Sequence, residues 1–290
     1  MTETNTNNIE TDVYKYPSTF INVEWVQINP GIVIVATADR SWLCQASSLE
    51  GRFAQPMDCP GNIATTQKLL DGAIATAQYT MNLDAQPPAL TSTRWVWRLA
   101  GAYHSSRLTS TLMEEAAKRF AEAERWNLAE WALHKADEER GHDRLALLDI
   151  RAMGYDAEAV VEALVPPGAV IFIDYFTRSV QDSNPIDCIG CCYANERLGT
   201  LVAEEYIQSV QALLPSSIRA TRWLRVHSGV GAEVKHIEDI VELVASLTPQ
   251  ERIRAARACY ETASLRFTSP PEGYISDSKL QQILKPLKLG

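Results

Sequence analysis

The stretch from Thr109 to Met153 constrains the fold of this 290-residue chain more than any other. Leu112, Ala116, Phe120, Leu128, Trp131, Leu145 and Leu148 recur at helical spacing, with charged residues between them. That period lays an apolar stripe along an α-helix, and such a stripe must be buried against other helices. The spacing predicts one nearly continuous helix, weakened at Gly141 and ended by Gly154.

The same logic extends downstream. Asp156 opens a short helix to Leu164, and Pro166-Pro167-Gly168 starts another to about Val180. Two longer helices are expected from Cys188 to Leu214 and from Ser216 to Leu247, split by Pro215. Thr248-Pro249-Gln250-Glu251 is a capping box with Pro at the first helical position, opening a helix to about Phe267. The expected fold class is mainly α: a helical bundle over residues 90–270, with an amphipathic tail helix in 271–290.

The beginning of the chain reads differently. Residues 1–15 form a polar tail expected to be disordered, and residues 16–86 a small β/α domain or cap. From Phe20 to Gln45, runs rich in Val, Ile and Trp are broken at Asn29-Pro30-Gly31 and Ala38-Asp39-Arg40, which predicts a short antiparallel meander. Asn62 then caps a helix with Leu69, Leu70 and Ile74 on its apolar face, interrupted at Gly72. Pro87-Pro88 is the expected linker.

Composition excludes several classes. A net charge of −9 argues against a nucleic-acid partner, whose phosphates need a basic surface. The most apolar run, Ala169 to Ile173, is stopped by Asp174, far short of the roughly 18 residues of a membrane span. The opening residues lack the basic start and apolar centre of a secretory signal, so a cytoplasmic location is expected. Six cysteines are too scattered for a disulfide framework. Cys188 and Cys191 have metal-ligand spacing but no second pair to complete a zinc site, and read as small buried residues at a helix start.

Three places carry candidate chemistry. Glu139 and His142, three apart, lie on one helical face and can meet one metal ion; the alternative is a solvated charge run. Glu196 sits among Tyr193, Leu198, Leu201 and Val202, where an inward carboxylate needs a cation; a surface position is the alternative. Glu204 shares its face, and Glu238 and Asp239 are lesser candidates downstream. Glu233 and His236 repeat the three-residue spacing. His227, nine residues before His236, faces the opposite way on an ideal helix and joins them only if the chain departs from helix near Gly229 and Gly231. Together these supply carboxylates and imidazoles suited to iron or manganese.

The segments "KADEERGHDRLALLDIRAMGY", "YANERLGTLVAEE" and "WLRVHSGVGAEVKHIEDIVELV" resemble the heme-oxygenase-like di-iron oxidases and oxygenases, over about Ser92 to Phe267. That superfamily also holds metal-free relatives, the thiaminase-like enzymes and the pyrroloquinoline quinone synthases. The resemblance implies metal ligands at Glu139, His142, Glu196, His227, Glu233 and His236, binding two Fe(II) ions, with Mn possible. It departs in the last cluster, where the family's acid four residues after the first His is here Gly231. It implies use of O₂ to oxidise a small molecule, amino acid or peptide, with N-oxygenation, C–C cleavage or desaturation as outcomes. On that pattern Glu196 is expected to bridge the two ions, and His227 to serve the weaker site. Phe172, Tyr175, Tyr193 and Trp223 are candidates to line the pocket, or simply to fill the core.

The N-terminal runs "NPGIVIVATADRSWLCQ" and "KLLDGAIATAQYTMNL" are similar to winged-helix peptide-recognition elements, which implies capture of a peptide by strand addition; a β-rich cap is the alternative. Two further functions stay open. One is a metal-free enzyme of the same fold, using Cys191 or Cys192 as nucleophile or a Glu/His acid–base pair. The other is a non-catalytic helical binding protein. A homodimer is the default assembly.

Overall fold

The computed structural model describes residues 23–45, 57–80, 88–229, 233–267 and 274–290, with the backbone alone at Gln45 and at 233–235. The expected polar tail, the loop at Pro56, the linker at Pro87, Gly231 and Pro270-Pro271 lie outside the described residues.

Three antiparallel strands, β1 (Glu24–Asn29), β2 (Ile32–Ala36) and β3 (Ser41–Gln45), pair in chain order. Asn29 accepts the Gly31 N–H at 3.0 Å and closes the first turn. Alternation divides the side chains: Val26, Ile34 and Ala36 face the main core, whereas Val33, Val35 and Cys44 pack with Trp25 and Trp42 on the other side. Helix α1 (Ile63–Thr80) lies on the first face. It runs unbroken through Gly72, contrary to the expected interruption. A β-carbon at Gly72 would stand 2.7 Å from Ser41 Oγ, so the glycine serves close approach of helix to strand.

The remainder is helical, giving a mainly α protein with one small sheet. In order come α2 (Ser92–Ser106), α3 (Thr109–Glu122), α4 (Trp126–Glu138), α5 (His142–Ala152), α6 (Ala157–Ala163) and α7 (Pro167–Gln181). They are followed by α8 (Asp187–Thr200), α9 (Glu204–Ala212), α10 (Arg222–Val226), α11 (Glu233–Ala245), α12 (Pro249–Phe267) and α13 (Asp277–Leu284). No single helix among the described residues is long and apolar enough to cross a membrane.

Several expected helices are divided. The run from Thr109 to Met153 is three helices, because Glu124 at φ 58° and Gly141 at φ 85° take left-handed conformations that turn the chain. The Cys188–Leu214 helix breaks after Thr200, where tertiary packing intervenes: Val202 gives its carbonyl to the Gly229 N–H at 3.2 Å. The Ser216–Leu247 helix likewise starts only at Arg222 and breaks after Val226. The capping box forms as expected, with Thr248 N–H donating to Glu251 at 3.0 Å.

Two buried clusters result. One joins the sheet and α1 to α3, α4, α7, α8, α11 and α12. The other joins α2, α5, α6, α9 and α10 to α13 at the C-terminus. A cavity of about 700 Å³ lies where they meet, walled by residues from both.

Candidate metal centre

Helix α4 delivers Lys135, Glu138 and Glu139 to this junction. Glu139 is the C-cap of α4 and His142 the first residue of α5, so the pair spans a helix break rather than one helix. Gly141 supplies the left-handed turn between them. His142 Nδ1 lies 3.2 Å from Glu139 Oε2.

His227 reaches them because α10 ends at Val226, leaving His227 as a non-helical C-cap. Its ring meets His142 edge-on with centroids 4.7 Å apart, and Trp223 packs on it at 4.8 Å. One ligand atom from each of Glu139, His142 and His227 lies within 4.8 Å of the others. This is a two-imidazole, one-carboxylate group, with Glu139 and His227 on the cavity wall.

Two supports fix the geometry. Asp149, fully buried on α5, accepts the Trp223 N–H at 3.0 Å and an Arg222 N–H at 2.9 Å, tying α10 to the helix that carries His142. Burial raises its carboxyl pKa against the pull of those hydrogen bonds. Glycines provide the second support. A β-carbon at Gly199 would stand 3.2 Å from the His227 carbonyl, and one at Gly229 2.7 Å from that of Thr200. Close passage of the two chain segments therefore depends on both.

The remaining expected ligands are arranged differently. Glu196 is buried and ion-paired with Lys135, itself buried and bonded to Glu138 at 2.6 Å. His236 Nε2 lies 3.0 Å from Glu138 Oε1, and His134 Nδ1 lies 3.1 Å from the same atom. A second acid and imidazole cluster therefore exists, gathered around an ammonium group. The side chain of Glu233 lies outside the described residues. Glu204 sits on α9 and pairs with Arg225 at 3.0 Å, and Glu238 and Asp239 are exposed.

Charge and burial pull against each other here. Burial alone would raise the Glu139 pKa, but the His142 hydrogen bond and the charges of His227, His142 and Lys135 hold it below the ordinary carboxylate value. Lys135 is opposed by its own burial, yet Glu196 and Glu138 raise it above its usual value. Phe172 and Trp223 line the cavity as expected; Tyr193 instead donates to Asp71 at 2.8 Å, and Tyr175 packs against the main core. Lys135, Glu138 and Asp149 were not singled out by spacing, since an isolated Lys or Asp among helical charges carries no signal of burial.

A helical bundle with this layering has the heme-oxygenase-like fold. The chain is similar to a solved domain of unknown function with that fold from Shewanella denitrificans, at 19% identity and a TM-score of 0.57, covering 75% of this chain and 91% of that one. No protein-family profile matches the sequence. Nor does any curated protein.

Proposed function

We propose that this protein is an iron-dependent oxidase or oxygenase that uses O₂ to oxidise an organic substrate held in the cavity. The observation that carries this reading is the convergence of Glu139, His142 and His227 on the cavity wall. Two imidazoles and one carboxylate, with no thiolate, suit Fe(II) or Mn(II), and three ligands leave positions open for other groups. The donor set thus fits the metal that the fold resemblance implies. Glu139, held ionised, and the two histidines would hold one ion; Glu138, Glu196 and His236 are the groups available to a second.

Bound iron would supply the electrons that reduce O₂. The chain's own residues would orient the substrate: Met113, Phe172, Phe176 and Trp223 form apolar walls, and Trp223 also packs against His227. The metal-free reading with a cysteine nucleophile is disfavoured by the thiols themselves. Burial pushes Cys191 up to about 12 and Cys192 well above its usual value, so neither presents a thiolate near neutral pH.

Anaerobic Fe(II) titration with metal counting tests the proposal, followed by O₂-consumption measurements. Stoichiometric iron, lost in Glu139→Ala, is the expected result. A wild-type protein that binds no iron would sink it.

A further inference from the structure

Three positively charged side chains line the cavity: Arg98, Lys135 and Arg266. Lys135 is already committed to Glu138 and Glu196. Arg98 donates to the Tyr206 hydroxyl at 2.8 Å. Arg266 is different: among the described residues its partners are neutral groups.

Its guanidinium lies over the Phe172 ring, 4.1 Å from the centroid. Its Nε donates to Asn195 Oδ1 at 2.8 Å, and Asn195 is itself oriented by donating from Nδ2 to the Cys191 carbonyl at 3.0 Å. The ring contact and the Nε bond position the guanidinium, and the terminal nitrogens have no ion-pair partner among the described residues. Phe172 in turn packs parallel to Phe176, with centroids 6.0 Å apart, so the platform under the guanidinium is rigid.

We infer that Arg266 anchors the carboxylate of an organic acid whose apolar body occupies the cavity beside Glu139 and His227. A planar, pre-oriented fork of N–H donors matches a carboxylate in two parallel hydrogen bonds. Met113, Phe172, Phe176, Leu198 and Val202, on the wall of the same cavity, match a hydrocarbon or aromatic body. The inference rests on the proposed function in one respect: it takes this cavity to be the substrate site of the oxidase, and assigns that substrate to the carboxylic acids.

The test separates the two ideas by measuring binding in metal-free protein. 4-Phenylbutanoate and its neutral isostere 4-phenylbutanamide serve as probes in calorimetric titration at pH 7. The acid should bind about tenfold or more tightly than the amide, and Arg266→Gln should abolish that preference. Arg266→Lys should recover part of it, since charge returns without the fork. Arg98→Gln should keep the preference. Circular dichroism shows that each variant is folded, and the Lys variant keeps the test decisive if the Gln variant is not. Equal binding of acid and amide to the wild type, or an unchanged preference in Arg266→Gln and Arg266→Lys, would overturn the inference. Iron titration of Arg266→Gln should match the wild type; an iron-binding protein indifferent to the acid would leave the oxidase reading standing without this substrate class.

Discussion

Lys135 and Glu196 form an ion pair in which each side chain is less than a tenth exposed, and the same ammonium also binds Glu138. A cation of the chain's own thus balances the carboxylates that the second metal position would need. Removing one partner of a buried pair leaves the other charge uncompensated, at a cost of about 3–5 kcal/mol. Lys135→Met should therefore lower the melting temperature sharply. Mn(II) should then stabilise the variant more than it stabilises the wild type, because a metal replaces the lost positive charge. Thermal unfolding with and without Mn(II) checks this, and equal metal-induced shifts in the two proteins would count against it.

Acid stability has a named contributor in Glu251. Burial would raise its pKa, but hydrogen bonds from Arg125, at 2.6 Å, and from Thr248 hold it below the ordinary value. A carboxylate with a lowered folded pKa contributes stability that is present above its unfolded value, about 4.3, and lost as pH falls through the folded one. Glu251→Gln should cost about 1 kcal/mol at pH 7, in the range of a lost helix cap. It should also flatten the decline in stability below about pH 4.3. Urea unfolding of both proteins between neutral and acid pH measures the difference.

Much of this arrangement was legible in the sequence, and the failures have physical causes. The capping box at Thr248, the Asp156 cap and the alternating strands are local signals with local outcomes, and all appear. Glu139 and His142 do meet, but through the left-handed turn at Gly141 and not on the shared helical face that their spacing implied. The helix is interrupted between His227 and His236, as their nine-residue separation requires, yet His227 meets Glu139 and His142 whereas His236 meets Glu138. What spacing could not show was tertiary. The break after Thr200 depends on a carbonyl given to Gly229, and the Lys135–Glu196 pair joins residues 61 positions apart. Arg266 reads in sequence as an ordinary basic residue near a helix C-terminus; only the cavity beside it gives it meaning.

The close approach at Gly229 offers a way to disturb the candidate site without touching a ligand. A β-carbon there would stand 2.7 Å from the Thr200 carbonyl oxygen, and backbone yields less readily than a side chain. Gly229→Ala should destabilise the fold by about 1–3 kcal/mol through overpacking. Because the displaced segment includes His227, Fe(II) affinity should fall as well. Gly168→Ala, in helix α7 where nothing lies near the added carbon, is the matched control and should leave iron affinity unchanged without lowering stability. The measurements are thermal melting and anaerobic iron titration, and a Gly229→Ala protein with wild-type iron affinity would separate this backbone contact from the site.

Iron affinity should depend on His227 more than on Glu196, the reverse of what the family-like spacing implied. His227 stands with Glu139 and His142, whereas Glu196 is ion-paired with Lys135. His227→Ala removes one of three converging ligands, so affinity for the first Fe(II) should fall by more than about 100-fold, the upper range for losing a residue that only supports a ligand. Glu196→Ala leaves that group intact, and Lys135 keeps Glu138 as a partner. The first ion should then bind nearly as in the wild type, while any second equivalent is lost and thermal stability declines. Anaerobic titration of the three proteins, read by iron stoichiometry and by the iron dependence of melting, distinguishes these outcomes. Loss of all iron in Glu196→Ala, with His227→Ala retaining one tight equivalent, would show that the metal gathers its ligands around Glu196 instead.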